Sequence, residues 1–272
     1  MCTTHEVVND VRNMKLLSII TVCRNDAARF KKTIESLSDF YGDKRFEHVV
    51  VDGESIDETG VLVAPLLKED NFKFYSGSDS GIYDAMNRGA VCSMAPLLLF
   101  LNCGDTMIAS PDELFSCLHP LVADNNAVGL DIACFPVQQL GPYGRKTLVP
   151  GRLMQHKMPV SHQGMVFARS FVLLKKYQAS YKIAGDYDLY LQAERVGMLT
   201  SATSRPLVGV EVEGVASSNP LKAYREYLSI ASTRLQGWTK LIVMLRIGIR
   251  ALSVITMKAI IPRRWVSKLR GV

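Results

Sequence analysis

The six residues Pro96-Leu-Leu-Leu-Phe-Leu101 carry no polar side chain and break off at Asn102-Cys103-Gly104-Asp105. A half-exposed strand alternates apolar with polar positions. A run that is apolar throughout is a strand covered on both faces, as in the parallel sheets of α/β folds. Open sheets of that kind bind ligands beyond the carboxyl ends of their strands. A carboxylate at Asp105, just past such an end, is therefore placed to meet a ligand. The preceding segment agrees. A polar loop at 76–80 leads into Ile82, Met86 and Ala90, whose i, i+4, i+8 spacing predicts a helix over 81–92.

The flanking segments keep the same rhythm. Residues 16–23 read as a first buried strand, and Asn25 or Asp26 is placed to cap a helix whose inward stripe is Phe30, Ile34 and Leu37. Residues 46–51 read as a second strand, 60–68 as a helix and 72–75 as a third strand. This alternation, with a polar loop after each strand, predicts an α/β fold. The sheet is Rossmann-like, mostly parallel and flanked by helices, with right-handed crossovers. Beyond Asp105 the pattern predicts a helix from Pro111, a strand over 131–137, and a turn at 141–144 with 145–149 returning as a hairpin arm. A strand at 165–168 follows, then a helix opening at Asp186 with Leu189, Ala193 and Val196 inward, and a strand at 205–210. Asn219 and Pro220 mark the start of a helix to about Leu235, and a last helix covers 239–261. The expected division is a frayed N-terminus (1–14), an α/β domain (15–218) and a helical extension (219–272).

Charge divides along the same line. After position 218 there are eleven Lys and Arg against one acid, Glu226, a net +10 that leaves −4 on the rest. A basic tail on a mildly acidic body points to a polyanionic surface. In the last helix Arg246, Arg250 and Lys258 share a face, Leu241, Leu245, Ile249, Leu252 and Ile255 form an apolar side, and Arg263, Arg264, Trp265, Lys268 and Arg270 follow. Such a helix is expected to lie in the plane of a membrane surface; packing on the protein's own core is the competing arrangement. Aromatics suited to base stacking are sparse beyond Trp238 and Trp265, which argues against nucleic acid as a partner. The six cysteines form no C-x-x-C pair, so a reduced cytoplasmic setting without structural zinc is expected. The first apolar run ends at Arg24-Asn25-Asp26 rather than at a small-residue cleavage site, so it reads as a strand and not a signal peptide. No stretch of about 18 uncharged apolar residues is present to span a bilayer.

Four carboxylate-bearing segments follow strands or open the late helix: Asp52/Asp57, Asp79/Asp84, Asp105 and Asp186/Asp188. An Asp after a strand is commonly a turn or cap residue. The set on successive strand ends is what carries weight. Neither GxxxxGK[ST] nor GxGxxG occurs, so phosphate binding has no glycine-rich loop to rest on. Carboxylates on one sheet edge suit instead a hard divalent ion bound together with a diphosphate.

Several of these segments together resemble family 2 glycosyltransferases: Ser18-Ile-Ile-Thr-Val-Cys-Arg-Asn25, Val50-Val-Asp-Gly-Glu-Ser-Ile-Asp57, Asp79-Ser-Gly-Ile-Tyr-Asp-Ala-Met-Asn87 and Leu101-Asn-Cys-Gly-Asp105. Ser161-His-Gln163, Gly185-Asp-Tyr-Asp-Leu189 and Gly214-Val-Ala-Ser-Ser-Asn219 extend the likeness over about residues 15–220. Within the family the fit is closest to the bacterial branch that builds O-antigen, colanic acid and capsule. The resemblance implies a GT-A domain for a nucleotide-diphosphate-sugar (a UDP- or GDP-hexose), a Mn²⁺ or Mg²⁺ ion, and inversion at the anomeric carbon. It implies Thr21, Arg24 and Asn25 beside the nucleotide, Asp52 on the base, and Asp79, Asp84 and Asn87 in the donor pocket. It places Asn102 and Asp105 at the metal and Asp186 as the base that activates the acceptor. His162, Gln163 and Asp188 fall on the acceptor side. The implied acceptor is a lipid-linked glycan, reached from the cytoplasmic face of the inner membrane. Three positions depart from the family's pattern. Asn102 stands where many relatives have Asp, Gly185 replaces an acid common before the base, and Gln192 stands where a basic residue is frequent.

Two other classes compete. A nucleotidyltransferase of related fold would want a glycine- and arginine-rich loop after the first strand, which 21–26 does not supply. A catalytically inactive sugar-nucleotide binder would keep the donor loops and lack a working base.

Overall fold

The computed structural model describes residues 15–123, 129–141, 144–151, 157–198, 205–211 and 219–260. The first half alternates β1 (Leu17–Cys23), α1 (Ala27–Ser36), β2 (Phe46–Asp52), α2 (Thr59–Val63), β3 (Phe72–Ser76), α3 (Ile82–Cys92), β4 (Leu97–Phe100) and β5 (Thr106–Met107). Then come α4 (Pro111–Ala123), β6 (Ile132–Cys134), β7 (Val137–Gly141), β8 (Gly144–Leu148), β9 (Met165–Ala168) and α5 (Arg169–Lys175). The chain continues through α6 (Gly185–Leu191), β10 (Val196–Met198), β11 (Val208–Glu211), α7 (Pro220–Arg234) and α8 (Gly237–Ile260).

Seven strands form the main sheet in the order β10-β6-β9-β4-β1-β2-β3. Four of its six pairings are parallel, as the alternation predicts. The apolar runs of β1 and β4 sit side by side at its centre, with Leu17 opposite Leu97 and Ile20 opposite Phe100, and β4 is buried at every position. Gly89 of α3 lies so close to β1 that a Cβ there would strike Ile20, which explains a glycine inside a helix. The exception to parallel order is β9, which runs antiparallel to both β4 and β6. It therefore begins where β4 ends, and the residues leading into it arrive at the edge that carries Asn102–Asp105. A second sheet, β5-β11-β7-β8, covers that end, and β7 and β8 form the expected hairpin.

The differences from the sequence pattern have local causes. The single strand expected at 131–137 is two: after Phe135-Pro136 the chain leaves β6 and joins the second sheet as β7. The helix expected to carry Ala193 and Val196 stops at Leu191, because Asp131 accepts the backbone N–H groups of Glu194 and Arg195 and Val196 pairs with Ile132. On α3 the buried face is Tyr83, Met86 and Ala90, while Ile82, the first helical residue, is 37% exposed. Asp26 is the N-cap of α1 but bonds to Arg29; it is Asp57, from the loop after β2, that accepts the N–H of Ala27.

His48 on β2 is fully buried between Tyr41 and Thr21, at 2.9 Å and 3.0 Å. The Thr21 hydroxyl donates to Leu101 O, so His48 Nε2 carries the ring proton and Nδ1 accepts from Tyr41. Burial pushes His48 down to about 3, so the folded protein keeps it neutral while an unfolded chain takes up a proton below 6.5. The contribution is complete above that value and is lost as pH falls towards the folded value. Between about pH 7 and pH 5 the wild type is expected to lose about 2 kcal/mol more unfolding free energy than His48→Gln, measured by urea titration.

Candidate active site

The ends of β1, β2, β3 and β4 open on one edge of the sheet, and the sequence-predicted residues gather there. Asp52 closes β2, opposite Cys23 of β1 and Ser76 of β3. Its Oδ2 accepts from Ser55 N and Ser76 Oγ at 3.0 Å and 2.7 Å, whereas Oδ1 is buried with no partner in the protein. A buried acceptor left open in this way suits a ligand N–H. Asp79 and Arg24 both lie against the Gly53 backbone, where a Cβ would come within 2.8 Å of Asp79 Oδ2 and 3.1 Å of Arg24 Cδ. Asp79 Oδ1 accepts from Gly81 N, and Asp84, in the first turn of α3, accepts from Ser80 N.

Asp105, like Asp52, is buried, at 3% exposure. Gln163 Nε2 donates to its Oδ2 at 2.8 Å and Glu211 N donates to its Oδ1 at 3.1 Å. Burial outweighs these bonds and raises its pKa to about 6. Each oxygen keeps a second lone pair, and a nearby cation would stabilise a carboxylate held so far from water. Asn102 Oδ1 is also buried and without a partner. Two hard oxygens with few protein competitors suit an ion of the Mg²⁺ or Mn²⁺ type, which commonly takes one or two protein ligands and completes its shell with phosphate and water. Among the described residues no three His, Cys, Asp or Glu side chains converge as a self-sufficient metal cage.

His162 and Gln163 come from the 3-10 turn His162–Gly164 that leads into β9. Gln163 reaches Asp105, and its neighbour His162 reaches two further groups. Asn102 Nδ2 donates to His162 Nε2 at 3.1 Å, and His162 Nδ1 faces Asp186 Oδ2 at 3.5 Å. The second contact is long for a hydrogen bond; such pairs commonly tighten only when substrate binds. Asp186 opens α6, its Oδ1 accepts from Tyr187 N at 2.9 Å, and the Tyr83 hydroxyl lies 3.5 Å away. Asp186 and His162 are each 15% exposed, so neither is sealed from solvent. One dipeptide thus joins the end of β4 to a carboxylate more than eighty positions along the chain.

Four of the sequence-predicted residues are engaged with the protein itself. Thr21 is fully buried beneath the edge and ties Leu101 to His48. Asn25, at φ 51°, clamps the loop after β2 by bonding Ser55 and Ile56. Asn87 uses both ends of its amide on the main chain of Tyr177. Asp188 does not lie on the acceptor side: it is 0% exposed, facing Arg234 of α7 through two bonds of 2.8 Å and 2.9 Å, with Gln192 at 3.1 Å. At the two other positions of departure, a Cβ on Gly185 would sit within 2.7–2.9 Å of the Tyr83 ring, and Gln192 bonds Asp188 beside Arg234.

Glu226, Lys182 and Arg234 also shape this region, although no motif contains them. Glu226 accepts the backbone N–H groups of Lys182, Ile183 and Ala184, the three residues before α6. Lys182 Nζ in turn holds Ser80 O of the donor-side loop at 2.6 Å. The available signal was Glu226 itself, one acid among eleven bases.

The model of the family described as Glycosyl transferase family 2 matches residues 18–170, more than half of the chain. The chain belongs to that family. An uncharacterized glycosyltransferase of Mycobacterium tuberculosis is 28% identical over 193 residues, 66% of this chain and 69% of the relative. A PGL/p-HBAD biosynthesis glycosyltransferase of Mycobacterium bovis is 27% identical over 182 residues, 65% and 69% of the two chains. Among solved structures, S. aureus TarS 1–349 in complex with UDP superposes with a TM-score of 0.67 at 15% identity, covering 92% of this chain and 76% of that one. The mannosyltransferase PcManGT from Pyrobaculum calidifontis, in complex with GDP-Man and Mn²⁺, gives 0.61 at 13% identity, covering 96% and 80%. At those identities the likeness establishes the GT-A fold.

The buried pair yields a test of Asp188's structural part. Arg234→Ala leaves that carboxylate buried without its cation and is expected to lower unfolding free energy by about 3 kcal/mol in urea titration.

Proposed function

We propose that this glycosyltransferase is an inverting, cation-dependent hexosyltransferase that moves a sugar from UDP or GDP to a hydroxyl of a lipid-linked acceptor. The observation that carries it is the meeting of Asp186 with the β4 end across His162-Gln163. A single displacement needs a base on the side of the sugar away from the leaving diphosphate, hence on a different segment from the groups that hold the diphosphate. In this reading Asp52 Oδ1 accepts an N–H of the nucleobase, and Arg24 and Asp79 flank the donor. Asp105 and Asn102 Oδ1 would hold a Mn²⁺ or Mg²⁺ ion, whose chemistry is to neutralise the charge developing on the leaving group. Asp186 takes the proton of the acceptor hydroxyl. The UDP and GDP-Man complexes of the structural neighbours support a nucleotide-sugar donor.

Two observations support a lipid-linked acceptor and a peripheral place on the cytoplasmic face of the membrane. One relative carries a PGL/p-HBAD biosynthesis name, which favours a glycolipid; the sequence resemblance favours surface glycans of the O-antigen, colanic acid or capsule kind. The other is α8. Val243 and Ile247 pack on α7, while Trp238, Leu241, Leu245, Ile249 and Leu252 form an apolar stripe, each 58–81% exposed. Positions 255 and 258 lie where side chains are not described, and 263–270 lie outside the described residues. No helix among the described residues is long and apolar enough to cross a membrane. An exposed apolar stripe on a strongly basic segment suits an anionic lipid surface.

Asp186→Asn is expected to lower the rate of UDP or GDP release from a donor–acceptor mixture with Mn²⁺ by at least about 100-fold, with nucleotide affinity unchanged. Full turnover would refute the base assignment. In flotation with vesicles containing phosphatidylglycerol, the full chain is expected to rise with the lipid and Leu245→Glu/Ile249→Glu to stay behind. Equal behaviour of the two would refute the docking face.

A further inference from the structure

Asn102 stands where the family resemblance leads one to expect Asp, and its two amide ends behave differently. Oδ1 is buried without a partner, while Nδ2 donates to His162 Nε2 at 3.1 Å. An amide nitrogen only donates, so Nε2 must present its lone pair. A neutral imidazole then carries its N–H on Nδ1, the atom that faces Asp186 Oδ2. Asn102 therefore decides which way the ring is polarised, and the ring's other nitrogen meets the carboxylate on α6. The main chain that carries the ring is held in place. Its neighbour Gln163 is 8% exposed and fastened to Asp105, and the next residue, Gly164, is packed so tightly that a Cβ would lie within 2.7–2.9 Å of Val137, Val160 and Phe135 O.

We propose that Asn102 and His162 are positioning residues for the base: Asn102 fixes the His162 tautomer, and His162 Nδ1–H holds Asp186 in the orientation that receives the acceptor proton. The proposal rests on the reading of Asp186 as the base. It reverses what the departure at 102 suggests at first sight. Besides its amide oxygen, Asn102 supplies an N–H that Asp could not, because a carboxylate only accepts. With a carboxylate at 102, Nε2 would carry a proton, and the ring's N–H would no longer be reserved for Asp186. A change towards the commoner family residue should damage the enzyme.

Two measurements test this. In protein labelled with ¹⁵N-histidine, the ring signals of His162, assigned by their loss in His162→Ala, are expected to report the Nδ1–H tautomer in the wild type and a proton on Nε2 in Asn102→Asp. The opposite tautomer in the wild type, or no change in the variant, overturns the proposal. Kinetically, with UDP-GlcNAc or GDP-Man as donor and Mn²⁺, Asn102→Asp is expected to lower kcat about 10- to 100-fold, a share of what a positioned base contributes. Donor KM should not rise. In a His162→Ala background the same substitution should change kcat clearly less than it does in the wild type, because its route to the base is gone and only its effect at the ion remains. A raised kcat, or an equal loss in both backgrounds, overturns the proposal. If Asp186→Asn retains turnover, the base assignment itself falls, and the tautomer result stands apart from it.

Discussion

The Asp105 carboxylate, buried and hydrogen-bonded on both oxygens, is the point through which the parts of this molecule are joined. It follows β4, the strand at the heart of the main sheet. Gln163 reaches it from the turn before β9, and Glu211 reaches it from β11 of the second sheet. Thr33 of α1 closes the group by donating to its main-chain oxygen at 2.9 Å. A carboxylate held out of water is costly unless its lone pairs are used. That requirement draws four separate elements to one place. Glu211 then extends the junction outward through its ion pairs with Arg29 and Lys32.

The antiparallel strand β9 is what turns this junction into a candidate reaction site. Had β9 run parallel to β4, its leading residues would lie at the opposite edge of the sheet. His162-Gln163 could not then meet Asn102 and Asp105, nor could His162 face Asp186. On the far side, α7 fastens α6 twice, through Glu226 and through the Arg234–Asp188 pair. The segment that charge alone sets apart at position 219 is thus bonded to the α/β body through α7, and it is α8 that presents an unpaired apolar face. Docking of α8 on a lipid surface would act on the base through α7.

What was legible in the sequence followed from burial on both faces. The central strand β4 announces itself as an unbroken apolar run, β1 and β2 as apolar runs with few polar residues, and the polar ends of all three mark one edge of the sheet. The carboxylates of that edge were also legible, because Asp52, Asp79 and Asp105 each follow a strand. Tertiary pairing was not legible. Leu189, Ala193 and Val196 fit a helical spacing until Asp131 captures the intervening amides and β6 takes Val196 as a strand. Asp186 and Asp188 look alike as two acids in one turn, yet one faces His162 and the other faces Arg234 forty-six positions away. Periodicity reports which face is apolar and carries no record of which distant charge waits there.

The central claim is that the strand ends hold a nucleotide-sugar with its ion, while Asp186 stands across from them. The most direct test is a crystal structure with Mn²⁺ and the non-hydrolysed donor, read by the anomalous signal of the metal. The account predicts a Mn²⁺ peak within ligand distance of Asp105 and Asn102 Oδ1, about 2.0–2.3 Å as for hard oxygen donors. It also predicts the nucleobase on Asp52 Oδ1 and Asp186 on the sugar face opposite the diphosphate. A nucleotide bound instead in the groove lined by Arg88, Val91 and Lys176, with no metal at the end of β4, would contradict it.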